Sequence, residues 1–164
     1  MSLRHWILVF LLAAIALQAN YYYPLLPGTV ASHFGYGGRA NGWSSKEVFY
    51  WTYFGIVLLM VFIFFLIPIP FRRFPASSMN LPHKEYWLAP ERREETLSYL
   101  TRQMNWMGNL ALAFILGTLQ LVMKANVAGQ GGFSEHSMWM LLAGFLILLG
   151  FWLIRLYRRF GNPS

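Results

Sequence analysis

The chain contains no cysteine and no aspartate, and its six acidic residues are all glutamate. Without cysteine there are no disulfides and no thiol chemistry, and the redox compartment stays open. Without aspartate, and without a Gly-x-Ser-x-Gly elbow, hydrolase chemistry loses its usual parts. Charge is scarce as well. Only 12% of the 164 residues are Asp, Glu, Lys or Arg, against roughly 25% in an ordinary soluble domain.

Apolar residues fill the space that charge leaves. They make up 57% of the chain, with a mean hydropathy of +0.42. The excess lies in four continuous blocks, and no charged residue interrupts their cores. Each is near the 20 residues needed to cross about 30 Å of hydrocarbon as a helix. A spanning segment must satisfy its own backbone, and runs without alternation point to helices rather than barrel strands. The expected fold is an all-α membrane protein, one domain over 1–164, with four transmembrane helices at about 5–23, 48–70, 104–125 and 138–157. The first block shares features with a signal peptide, namely Arg4 and His5 before an apolar run and Ala19 near its end. Leu17 fits a cleavage site poorly, so a retained helix is expected.

Basic residues orient these spans. The N-terminus, the middle loop and the C-terminal tail hold Arg4, Arg72, Arg73, Lys84, Arg92, Arg93, Arg102, Arg155, Arg158 and Arg159, ten in all. The other two loops hold three, Arg39, Lys46 and Lys124. The positive-inside rule then predicts both termini in the cytoplasm. Aromatic residues at Tyr21 to Tyr23, Phe49 to Trp51, Trp87, Trp106, Trp139 and Tyr157 fit the two interfaces. The net charge of +7 therefore points to membrane lipid as a partner, and not to nucleic acid.

Loop two (71–103) begins with Pro-interrupted sequence and becomes helical at Pro90, a favoured first helical residue, with Glu91, Glu94 and Glu95 complementing the dipole. Leu97, Leu100, Met104 and Met107 then make an apolar stripe. This cytoplasmic amphipathic helix either lies on the membrane or runs into the third span. Along that span, Asn105, Asn109, Ala113, Gly117 and Gln120 fall on one face at 100° per residue. Small and amide side chains allow close helix contact and interhelical hydrogen bonds, so this face is expected inside the bundle or against a partner protein.

Chemistry-bearing groups are few. His33 in the first loop and Glu135 and His136 in the third are weak metal candidates, because two histidines and a carboxylate can hold zinc or iron. Their spacing gives that idea no support, and neither metal nor other cofactor is expected. "GYGGRANG" (35–42) lacks the Gly-Lys-Ser/Thr of a phosphate loop, so its glycines are read as turns. Haem would need facing histidines within the spans, and there are none.

The first loop, "PLLPGTVASHFGYGGRANGWSSK" (24–46), carries a pattern. Leu26-Pro27, Val30, His33-Phe34, Gly38, Asn41, Trp43 and Ser45-Lys46 resemble "LP-x-x-I-P-x-H-F-N-x-x-G-x-x-D-x-W-x-S-K" without a gap. That pattern marks a bacterial membrane family, domain of unknown function 1648, the N-terminal module of SdpI-like immunity proteins. The resemblance covers about residues 10 to 65. Ala31 stands where the family has proline, Gly35 where it has a polar residue, and Asn41 where it has aspartate. With four spans, the second module of full SdpI-like proteins is not expected here. The resemblance implies a bacterial inner-membrane location and immunity against a secreted peptide.

Read physically, the same loop is a structured outer cap. Pro24 and Pro27 end the first helix, His33-Phe34 and Trp43 pack downward, and Ser44 or Ser45 caps the second helix. A binding role falls to His33, Tyr36, Arg39, Asn41, Trp43 and Lys46. The expected function is non-catalytic: an accessory subunit packing within a larger membrane-protein complex. The alternatives are an SdpI-like sensor of a peptide or envelope ligand, and then a metal-binding membrane protein.

Overall fold

The computed structural model describes residues 2–161. Four long helices account for the four apolar blocks: α1 (Leu3–Tyr22), α2 (Lys46–Val61), α4 (Pro90–Val127) and α5 (Glu135–Phe160), with a one-turn α3 (Lys84–Trp87) before α4. All four are long and apolar enough to cross a membrane, α2 when its continuation to Phe71 is included. The protein is therefore a multi-pass membrane protein. α2 opens with Ser45 as its cap, the hydroxyl accepting from the Val48 amide at 3.2 Å, and Glu47 sits in its first turn. Five residues of π-helix (Phe62–Leu66) follow Val61, and Pro68 and Pro70 then hold the chain in short 3₁₀ turns.

Loop two does not lie apart from the third span. α4 runs unbroken for 38 residues from Pro90, because nothing between Glu91 and Val127 breaks a helix and its stripe of Leu97 and Met104 continues into the apolar run. α4 is the hub of the fold, with α1, the end of α2, α3 and α5 all packed along it.

Amide side chains mark the seam between α4 and its neighbours. Arg4 Nε donates to Asn105 Oδ1 at 3.0 Å, and Asn105 Nδ2 donates to the Phe64 carbonyl at 2.8 Å, inside the π-helical turn. Asn109 Nδ2 donates to the Arg4 carbonyl. Nearer the hairpin, Gln18 donates to Gln120 Oε1 at 2.8 Å and to the Leu116 carbonyl, and Gln120 donates to the Tyr22 hydroxyl at 2.7 Å. Tyr53 reaches Gln18 from α2. Within hydrocarbon each such bond contributes about 0.6–2 kcal/mol.

Gly108 lets α4 approach the π-helical turn, since a Cβ there would lie 2.5 Å from that of Phe64. Gly117 meets Leu141 of α5 instead. Ala113 is not in the seam: it is exposed, and Leu112 is the buried residue at that level. The contact line runs through 105, 109, 112, 116 and 120, in steps of four, three, four and four; at 100° per residue this line is centred between Asn109 and Leu112, and Ala113 falls outside its edge. α5 packs only loosely, and Phe160 is its one buried residue.

The first loop is a β-hairpin, which the glycine-turn reading did not anticipate. β1 (Thr29–Phe34) and β2 (Ala40–Ser45) pair antiparallel from Thr29–Ser45 to Phe34–Ala40. The register slips twice, leaving Ser32 and then Asn41 without an opposite residue. Gly37 and Gly38 make the turn with φ of +72° and +70°, angles that side chains rarely adopt.

Candidate functional site: a cavity under the hairpin

The α4–α5 loop joins the hairpin. Ala40 N–H donates to the Gly131 carbonyl at 2.9 Å, Phe133 N–H donates to the Gly38 carbonyl at 3.1 Å, and Arg39 and Gly132 form a bridge. Gly38 and Gly132 permit this approach, because a Cβ on either would collide with the other segment's backbone. Phe34 packs on Phe133 with ring centroids 4.7 Å apart. These contacts fasten the hairpin tip to the start of α5.

Between the hairpin, the upper half of α4 and the first turns of α5 lies a cavity of about 470 Å³. Phe49, Leu119, Val122 and Met138 give it an apolar floor, and its rim carries His33, Tyr36, Glu135 and Trp139. Its volume falls within the range of small-molecule pockets, as does its pairing of apolar lining with a few polar groups. Thr118 also lines it, and the Thr118 hydroxyl is buried without a hydrogen-bond partner.

Of the side chains expected to bind, His33 and Tyr36 line this cavity. Asn41 does not, but its Oδ1 accepts from His33 Nδ1 and fixes the imidazole's direction. Tyr36, at the turn, is 96% exposed. Arg39 and Trp43 lie outside the lining. Trp43, expected to pack downward, is 61% exposed, because β2 turns its side chain away from the helix ends. Lys46 is a clamp: Nζ donates to the Tyr23 and Leu26 carbonyls at 3.2 and 3.4 Å and sits 4.6 Å from the Tyr23 ring centroid. A cation there complements the negative end of α1.

The metal candidates are separated. His33 and Glu135 share the cavity wall, but His136 does not. Glu135 Oε1 accepts from Trp139 Nε1 at 3.1 Å and His33 is bonded to Asn41, so neither engages the other. Among the described residues no three His, Cys, Asp or Glu side chains group closely enough to hold a metal. What the cavity offers instead is aromatic surface with one imidazole and one carboxylate at its rim, a set suited to binding.

Phe49, Thr118, Phe133 and Trp139 were not legible as site residues. Phe49 and Trp139 read as interfacial aromatics, and Thr118 and Phe133 carried no signal; only the i, i+4 spacing of Glu135 and Trp139 hinted at a joint role.

No curated protein and no solved structure matches the chain. Residues 7–69, which take in α1, the hairpin and α2, match the family model described as Domain of unknown function (DUF1648), in agreement with the pattern read in the first loop.

Proposed function

We propose that this is a non-catalytic membrane protein of the bacterial inner membrane. Its termini are cytoplasmic, and it binds a peptide or envelope ligand at the hairpin cavity on the outer side. The ten-to-three distribution of basic residues supports the orientation. One observation carries the binding reading: the hairpin and the α4–α5 loop are hydrogen-bonded together over a cavity of about 470 Å³. A connector has no need of that shape. The SdpI-like role, protection against a secreted peptide, fits a ligand arriving from that side.

The test is a survival assay. Cells lacking the gene are challenged with extracellular toxic peptides and complemented with the wild type or with Trp139→Ala. Sensitivity restored to wild-type tolerance by the native gene but not by the variant supports the reading. Identical survival with and without the gene across the peptide panel overturns it.

A second reading, an accessory subunit of a larger complex, rests on α5. Leu146, Ile147, Phe151 and Ile154 are each more than half exposed along it, and α4 is the long helix that it packs against. Purification from native membranes in mild detergent separates the two, since a subunit brings stoichiometric partners with it.

A further inference from the structure

A second cavity, of about 440 Å³, opens at the face that carries both termini, between the start of α1, the end of α2 and the early turns of α4. Its wall holds Arg4, Arg102, Ser98 and Thr101, with Pro68 and Ile69 on the apolar side. No acid among the described residues lines it. Ser98, Thr101 and Arg102 stand at i, i+3 and i+4 on α4, so they share one face of that helix.

The two arginines differ from ordinary topology-setting charges in how they are held. Arg4 is pinned through Nε by Asn105, which is 3% exposed and is itself fixed by the Phe64 carbonyl. That leaves the two terminal nitrogens of Arg4 for a ligand, and a guanidinium presented this way suits two oxygens of one phosphate. Among the described residues neither Arg4 nor Arg102 has an ion-pair partner. Glu95, seven residues before Arg102, is engaged by Arg159 at 2.7 Å. Arg102 lies 5.8 Å from the Tyr99 ring centroid, a contact that leaves its N–H groups available. Ile69, at the apolar side, is 68% exposed.

We propose that this cavity binds the phosphate headgroup of an anionic phospholipid from the leaflet next to the termini. Arg4 and Arg102 hold the phosphate, Ser98 and Thr101 donate hydroxyl hydrogen bonds to its oxygens or to the glycerol, and Pro68 and Ile69 flank the first acyl carbons. Basic pockets between spanning helices at this depth are suited to anionic headgroups. A positive charge that only set topology would need no buried amide to aim it. The pinning by Asn105 is what distinguishes a site from a charge.

The experiment uses the full chain, purified in mild detergent and delipidated, then titrated with phosphatidylglycerol or phosphatidylcholine and read by native mass spectrometry. The wild type is expected to retain phosphatidylglycerol in preference to phosphatidylcholine. Arg4→Gln and Arg102→Gln should each weaken that retention about fivefold, the effect of one basic side chain near anionic lipid. Arg158→Gln, at the same end of the protein but outside the cavity, should leave it unchanged. Because Arg4 also bonds Asn105, Arg102→Gln decides the matter if Arg4→Gln fails to fold. A parallel titration with glycerol phosphate and inorganic phosphate separates the sources. If these soluble anions displace the lipid at equal concentration, the occupant is a soluble phosphate and the lipid assignment is overturned. Retention by Arg102→Gln equal to the wild type, or equal retention of both lipids, removes the site altogether.

Discussion

The side-chain amide of Asn126 grips both backbone groups of Ala31. Its Oδ1 accepts from the Ala31 N–H at 2.7 Å, and its Nδ2 donates to the Ala31 carbonyl at 3.0 Å. Ala31 already pairs with Trp43 on its other edge, so the asparagine serves as a third strand one residue long. It ties the hairpin to the end of α4. Asn126→Ala would leave two nearly buried backbone groups unmatched, at a cost of about 1–3 kcal/mol each if water does not reach them. Hydrogen exchange should accelerate across β1 while α1 stays protected. Asn126→Asp keeps the acceptor and should lose less; protection of β1 equal to wild type in both variants would show that the grip is idle.

The absence of cysteine makes orientation easy to read. Tyr36→Cys at the exposed hairpin turn should react with a membrane-impermeant thiol reagent added to intact cells. Arg158→Cys near the end of α5 should react only after permeabilisation. The reverse pattern would invert the topology and move the hairpin cavity inside.

Helix packing gives a paired prediction. Gln120→Leu removes two bonds, to Gln18 and Tyr22, and should lower resistance to denaturation by about 1–4 kcal/mol. Ala113→Leu, at an exposed position, should stay within about 0.5 kcal/mol. Equal losses would mean that α4 presents a different face to α1. Unfolding in mixed micelles, followed by tryptophan fluorescence, measures both.

At the other end of α5, a buried contact and an exposed one can be compared. Trp87 is 5% exposed, donates from Nε1 to the Phe160 carbonyl at 3.3 Å and packs edge-on against the Phe160 ring. Its replacement by alanine should cost about 3–5 kcal/mol. Glu95 and Arg159 also join α4 to α5, but their side chains are 69% and 38% exposed. Glu95→Gln should therefore change stability by no more than about 1 kcal/mol. A larger loss for Glu95→Gln than for Trp87→Ala would refute the claim that apolar burial holds the end of α5.

The spans were legible because hydrocarbon leaves little choice: a continuous apolar run must close its own hydrogen bonds. The hairpin was not, because "TVASHF" and "ANGWSS" carry no clean alternation and two bulges break their register. Its ties to the rest of the protein, through Asn126 and through Gly131 to Phe133, lie almost a hundred residues away in sequence. The cavity under the hairpin was half legible. His33 and Tyr36 stood out as binding candidates and Glu135 as a weak metal candidate in polar, glycine-rich loops, whereas Phe49, Thr118 and Phe133 gain their place only from the meeting of α4, α5 and the hairpin. Ala113 shows the limit of projection. A face drawn through Asn105, Asn109 and Gly117 is centred too far round, so it takes in exposed Ala113 and leaves out Leu112, which is buried in the seam.

Gln18, Tyr22 and Ala31 all find their partners on α4, which is made after the whole of residues 7–69. A ribosome delivers the first two spans and the hairpin before the helix that satisfies them exists. During synthesis this segment is an unfinished half whose amides must be shielded by the insertion machinery or by water until Gln120 and Asn126 arrive. A pause or truncation before the middle of α4 should strand it there, competent to insert but unable to fold, and exposed to quality-control proteases of the membrane.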